Sequence, residues 1–360
     1  GYENNIYKYI NVDRFFQTGV YASPIKINYP WFDHPPLIGL YSGGYATLAG
    51  ARVYEDATLR IIRKPMVVLG TISLLLVIIL AYEYFGFAVA AMSGLIYATS
   101  PLVVVSSRMV QAENLLIIWF LLILIMLKKE KWLWVGIFTA LAFWTKFSVL
   151  AMLPVIIWAI KRQNIGNFLR GFVPGIIMLV IYYWVYGWET FWAVNTANSG
   201  RLYEIGTTAF LDLIGKTRVT HIKMLTDGWI VASWIAFFAY RKMNLLKIFV
   251  MSYLATYILF GNYPHGWYAL PFWPILFIFL GKFIVDGQGF LISLLPLGVG
   301  ISKLVDVNFW RWGIFGALIL SLLIKNIKII KVIMFIAVGL AILTNAVWVY
   351  NLSPDLWYKI

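Results

Sequence analysis

No cysteine occurs among the 360 residues, which excludes disulfides, thiol catalysis and Cys-ligated zinc. Charge is almost as scarce. Only 12% of the residues are Asp, Glu, Lys or Arg, about half the share found in soluble globular chains. So few polar groups leave too little material to coat a soluble core. Acids are the scarcest of these, 15 against 29 Lys and Arg, giving a formal net charge of +14. In a chain this apolar, the basic surplus is expected of cytoplasmic loops facing anionic lipid rather than of a nucleic-acid surface. No signal peptide opens the chain, because GYENNIYKYI lacks both a basic start and an apolar centre. What remains is 62% hydrophobic and 18% aromatic, arranged in long apolar runs bounded by short basic clusters. That is the pattern of an all-α, multi-pass integral membrane protein.

Windows of about 20 residues, the length that spans a bilayer, predict some twelve crossings. They lie near 65–82, 86–105, 108–127, 132–145, 147–160 and 168–187, then 229–240, 245–261, 267–285, 289–305, 310–324 and 332–350. The expected organisation is an external catalytic segment (1–64) followed by a helical bundle (65–360) that includes an external loop at 188–228. With 1–64 outside, alternation puts four basic loops inside: LKKEKW, IKRQNIGNFLR, YRKMNLLK and IKNIKIIK. They carry 12 of the 29 basic residues and one acid, Glu130, the short-loop bias of cytoplasmic segments. The same alternation collects Glu3, Asp33, His34, Arg108, Glu113, the 188–228 loop and His265 on one external face.

Several residues on that face carry chemistry, each with a plainer reading beside it. Arg108 and Glu113, in SSRMVQAENLL, sit at a junction between apolar runs. Ionisable groups at membrane depth cost roughly 2.5–3.5 kcal/mol each, so they are usually paired or functional. The plain reading is a snorkelling arginine beside an acid; the functional one is an anion or sugar contact. Lys146, in LAFWTKFSVLAMLP, either marks a tight external turn or binds phosphate as a compact point charge. GNYPHGWYALPFWP joins His265 and Tyr268 to Pro271 and Pro274; it reads as an interfacial aromatic belt, or as backbone lining a cavity. In WFDHPPLIGL, Pro35 and Pro36 suit the first turn of a helix, which would aim Asp33 and His34 above the membrane. Glu55, Asp56, Arg60, Arg63 and Lys64 read as an amphipathic surface helix.

Taken in order, these residues resemble the GT-C membrane glycosyltransferases, in the branch of protein O-mannosyltransferases and aminoarabinose (lipid A) transferases. The elements that carry the likeness are Glu3, Tyr7, Thr18-Gly19-Val20-Tyr21, His34-Pro35-Pro36-Leu37, Arg60, Ser107-Arg108 with Glu113, Thr145-Lys146, and Tyr268-Ala269-Leu270-Pro271 with Pro274. They cover roughly residues 1–280, and His-Pro-Pro-Leu is the most specific. There is one departure. The first acid of the family's acidic pair falls at Tyr2, which leaves Glu3, Asp33 or Glu113 as candidate base. The family's first transmembrane helix should precede Glu3, so the chain is expected to be part of a longer one.

The resemblance implies a GT-C-like helical bundle with an external loop of short juxtamembrane helices. It also implies a sugar donor linked to polyprenyl or dolichyl phosphate, such as dolichyl phosphate mannose. The acceptor is a hydroxyl of protein, lipid or glycan. Glu3, Asp33 and Glu113 are then the candidate catalytic residues. His34, Arg60, Arg108, Lys146, His265 and Tyr268 are the candidate substrate-binding residues. Membrane lipid is the remaining partner, and the active face is external, or periplasmic in a prokaryotic plasma membrane. No cofactor is required; Glu3, Asp33, His34 and His265 offer metal-type ligands but without a metal-ligand spacing. The alternatives are a lipid or sugar transporter (flippase), against which no internal repeat is evident, and a non-catalytic scaffold subunit, which the residue at Tyr2 keeps open.

Overall fold

The computed structural model describes residues 32, 34–52, 56, 58–199, 204–215, 228–261, 266–287, 316 and 327–350. Among them every extended element is helical. In chain order the α-helices are α1 (Leu37–Leu48), α2 (Leu59–Phe85), α3 (Phe87–Thr99), α4 (Pro101–Ser106), α5 (Ala112–Lys128) and α6 (Trp132–Phe143). They continue with α7 (Leu153–Ala159), α8 (Ile165–Ser199), α9 (Gly206–Gly215), α10 (Gly228–Ala239), α11 (Leu245–Phe260), α12 (Trp273–Val285) and α13 (Ile327–Tyr350). Three helical stretches are long and apolar enough to cross a membrane: Arg60–Phe85, Arg162–Thr196 and Trp267–Val285. The chain is a polytopic helical membrane protein, as its composition predicts. The spans expected at 289–305 and 310–324 lie, residue 316 apart, outside the described residues.

Local chemistry explains where the helices depart from the sequence windows. The run expected as one span at 86–105 breaks between α3 and α4, with Ser100 extended (φ −64°, ψ 116°). Pro101 follows it, and a proline pushes its predecessor out of the helical region. Arg60, Arg63 and Lys64 form no surface helix of their own but the first turns of α2. The segment expected as a loop from 188 is helical as far as Ser199, beyond a kink at Gly187 (φ 137°, ψ 80°) that only glycine tolerates easily.

The chain packs as two units. The first comprises Gly1–Ser73, Ser107–Phe210 and Met251–Tyr263; the second comprises Leu74–Ser106, Leu211–Val250 and Pro264–Ile360. In the first unit α5 is buried nearly all round, as a helix that is apolar on every face must be. It turns back into α6 through Lys129, Glu130 and Lys131, with Glu130 at positive φ (53°). Helices α6 and α8 meet backbone to backbone. A Cβ at Gly136 would collide with the Phe168 carbonyl, one at Gly171 with the Leu133 carbonyl, and one at Gly175 with Ala140. Gly136-x-x-x-Ala140 thus faces Gly171-x-x-x-Gly175, the small-residue spacing that lets membrane helices approach closely.

In the second unit α12 packs on α3 and α10, and α13 on α3 and α4. Gly281 of α12 lies so close to α3 that a Cβ would collide with Ser93. Aromatic contacts from Phe85 to Tyr240 (5.8 Å), and from Tyr240 to Phe279 (5.1 Å), tie the C-terminal ends of α2, α10 and α12 together.

Candidate functional site

Helix α5 is about 25 Å long at 1.5 Å per residue, so its ends report opposite sides of the first unit. At the Lys128 end lie the basic turns. Lys161 bridges to Glu130 at 3.8 Å, both exposed, which joins LKKEKW to the segment that begins at Ile160. Two of the loops expected on one side do meet there. At the Ala112 end the chemistry is different.

Glu113 lies in the first turn of α5, where the helix dipole favours a negative charge. It is 1% exposed and forms a salt bridge to the ammonium of Lys146, itself 7% exposed. Lys146 is brought there by the break after α6. Its backbone is extended (φ −164°, ψ 139°), and the chain resumes as a 3-10 turn, Phe147–Met152. The pair expected as Arg108 with Glu113 is therefore Lys146 with Glu113, while Arg108 is exposed. Two buried charges removed from water need additional polar neighbours. Trp119 donates its indole N–H to the Thr145 hydroxyl (2.9 Å), and Thr145 donates to the Leu141 carbonyl (2.9 Å). Asn114 donates to the Met109 carbonyl (2.7 Å). Tyr253 donates to Tyr257 (3.3 Å), whose phenol lies within electrostatic reach of both Lys146 and Glu113. Ser252, just before Tyr253, donates to the Ala151 carbonyl (2.6 Å) and ties α11 to the 3-10 turn.

The His-Pro-Pro-Leu stretch docks beside this pair. The Leu37 backbone N–H donates to the Trp144 carbonyl (2.9 Å), so the N-terminus of α1 abuts Trp144-Thr145-Lys146. Trp144 is fixed in turn by its indole N–H, which donates to the Gly175 carbonyl (2.8 Å). Phe32, five residues before Leu37, is buried against Tyr182 and Tyr183, with ring centroids 6.3 and 5.2 Å away. His34 sits half-buried between these two anchors. Helix α1 is held a turn further on by Tyr41, which donates to the Pro65 carbonyl (3.3 Å); burial pushes its phenol above the usual range. Ala46, Ala51 and Ile62 form an apolar cluster against which Ile61 and Val110 pack. Arg60 and Arg108, near neighbours of those two in sequence, are both exposed.

Of the expected site residues, Glu113 and Lys146 are paired, and His34 lies three residues before Leu37, which is bonded to Trp144 two residues before Lys146. Arg60 and Arg108 belong to the same unit. Tyr268 belongs to the second unit, half-buried on the 3-10 turn Gly266–Phe272. Glu3, Asp33 and His265 lie outside the described residues. Sequence reasoning missed Tyr253, Tyr257 and Trp119; the i, i+4 tyrosine pair in YLATY was the available signal. Among the described residues no cluster of three or more His, Cys, Asp or Glu is arranged to hold a metal ion.

Comparisons with known proteins bear on the fold and on part of the chain. Residues 33–188 match the family model of dolichyl-phosphate-mannose-protein mannosyltransferase, a stretch that contains His34, Glu113 and Lys146. The fold is similar to that of ArnT from Cupriavidus metallidurans bound to undecaprenyl phosphate. That match has 17% sequence identity over 97% of this chain and 73% of the other, with a TM-score of 0.55. The same protein in its apo state matches at 16% identity over 96% and 72% of the two chains, with a TM-score of 0.52. No curated protein sequence matches significantly. The all-α polytopic fold expected from the sequence holds, and the expected resemblance is matched by a family model over residues 33–188.

Proposed function

We propose that this chain is an integral-membrane glycosyltransferase that moves a sugar from a polyprenyl-phosphate donor to a hydroxyl acceptor at its external face. The observation that carries the proposal is the buried pair of Glu113 and Lys146 at one end of α5 and α6, away from the basic turns, with the His34 segment bonded two residues before Lys146. A buried cation at the mouth of a membrane bundle suits a lipid-linked phosphate better than a soluble nucleotide sugar. The family match and the undecaprenyl phosphate held by ArnT support the same donor class.

In the reaction the acceptor oxygen attacks the anomeric carbon, and the bond from that carbon to the phosphate oxygen breaks. The electron pair leaves on the lipid phosphate, where a nearby cation stabilises the accumulating charge. Lys146 takes that part, with His34 as a second contact to phosphate or sugar. Glu113 is committed to Lys146, so it acts as a positioning residue that holds the ammonium in place. The acceptor's proton then goes to Glu3 or Asp33, as a general base within hydrogen-bond reach of the hydroxyl. Arg60, Arg108, His265 and Tyr268 remain substrate contacts in this reading, and the helical segment beyond Gly187 is the proposed acceptor-facing surface. The external placement follows from the Lys and Arg bias of the opposite turns.

Binding tests the donor assignment apart from chemistry. Purified protein should retain undecaprenyl phosphate in preference to undecaprenol, and Lys146→Met should lose about tenfold in affinity, the scale of one charge-assisted contact. Equal binding of phosphate and alcohol by the wild-type protein would remove the phosphate site.

A further inference from the structure

A second polar feature lies wholly within the second unit. The C-terminal ends of α2, α10 and α12 surround a cavity of about 880 Å³. Its floor is aromatic, made by Phe85, Tyr240 and Phe279 in mutual contact. Its rim carries Arg241, Lys242 and Lys282 against one acid, Asp286. The basic segment that starts α13 comes to the same place, since the aliphatic chain of Lys331 passes over Gly287, where a Cβ would collide with it.

Helix C-termini attract cations without any ligand, and that plain explanation accounts for part of the cluster. Each end contributes about half a negative charge. Lys247 answers one by donating to the Tyr240 carbonyl, its ammonium 5.4 Å from the centre of the Phe237 ring. Lys282 pairs with Asp286 at 2.6 Å and lies 5.9 Å from the centre of the Phe85 ring. Arg241 and Lys242 are left over. Both are exposed and pair with no acid among the described residues, so the mouth of the cavity carries an unanswered positive charge above an apolar floor. Basic pockets between membrane helices on the cytoplasmic side are suited to phosphate headgroups.

We propose that the cavity bounded by Phe85, Tyr240, Arg241, Lys242, Phe279 and Lys282 binds a phosphate-bearing anion within the second unit, through residues other than those of the donor site. Arg241 and Lys242 contact the phosphate, and the aromatic floor takes the adjoining glyceryl or acyl carbons. The site uses none of the residues assigned to glycosyl transfer, so it stands or falls independently of that reading.

Native mass spectrometry of the full chain in neutral detergent tests it, with phosphatidylglycerol, phosphatidylcholine and sn-glycerol 3-phosphate as probes. Two variants address the cavity: Arg241→Gln/Lys242→Gln/Lys282→Gln removes its cations, and Ala239→Trp fills its mouth from an exposed lining position without changing charge. Lys128→Gln/Lys129→Gln/Lys131→Gln removes as much charge from the first unit. The expected result is retention of the anionic probe over phosphatidylcholine, weakened at least about tenfold by both cavity variants and little changed in the control; each basic residue near a lipid surface contributes about fivefold. Retention of phosphatidylglycerol alone assigns the site to a lipid headgroup. Equal retention of glycerol phosphate assigns it to a free phosphate ester. Wild-type affinity in Ala239→Trp, or an equal loss in the control, overturns the proposal, and Ala239→Trp decides alone if the triple variant does not fold.

Discussion

A lysine so deeply buried needs a counter-charge, and Glu113 supplies it from the first turn of a different helix. Breaking such a pair from one side leaves a stranded charge and costs about 3–5 kcal/mol, whereas replacing both partners by apolar residues of similar volume is often mild. Lys146→Met and Glu113→Leu should each lower the unfolding midpoint in detergent strongly, and the double variant should recover most of the loss. An additive double variant would mean that the two side chains do not act as a pair. The sequence drew attention to both members of this pair. Arg108, five residues from Glu113 and its partner only in the plain reading, is exposed, and the partner found is Lys146, 33 residues on. Only the reversal of the chain at Lys129–Lys131 carries the lysine back to the N-terminal end of α5. No local pattern encodes that return.

At the scale of helices, hydropathy located the runs and local chemistry set their ends. Pro101 breaks a run that hydropathy reads as continuous, whereas Lys146 and Gly187 bend or end helices where the windows already place boundaries. Close helix packing was equally present in the residues and was not read. Gly171 and Gly175 are four apart, as are Gly136 and Ala140, but spacing alone does not say which helix meets which. Gly171→Leu should force α6 and α8 apart, since the added side chain meets the Leu133 carbonyl and the Ile137 backbone rather than a flexible neighbour. Overpacking of this kind typically costs about 1–3 kcal/mol. It should also loosen Trp144, whose indole is bonded across the same interface to Gly175. The expected outcome is a lower unfolding midpoint together with weaker undecaprenyl phosphate binding. A variant with wild-type values of both would show that the close approach carries neither stability nor the site.

For the molecule as a whole, function depends on which side of the membrane each set of loops occupies. The Glu130 to Lys161 bridge joins two basic turns of the first unit, and in the second unit Lys331 passes over Gly287. Because the chain has no cysteine, single introduced thiols report sidedness without background. An impermeant maleimide added outside intact cells should label Leu48→Cys and leave Lys129→Cys and Met243→Cys unmodified until the membrane is opened; the reverse pattern would invert the protein and put the proposed active face inside. Glycosyl transfer itself is read from its leaving group. Purified protein, supplied with polyprenyl-phosphate sugars and a hydroxyl acceptor, is assayed for release of free polyprenyl phosphate. The account predicts release that falls at least about a hundredfold in either Glu3→Gln or Asp33→Asn, the loss expected of a general base, and falls also in Lys146→Met. Release that persists undiminished in all three variants, or no release from any donor that the protein binds, would contradict it.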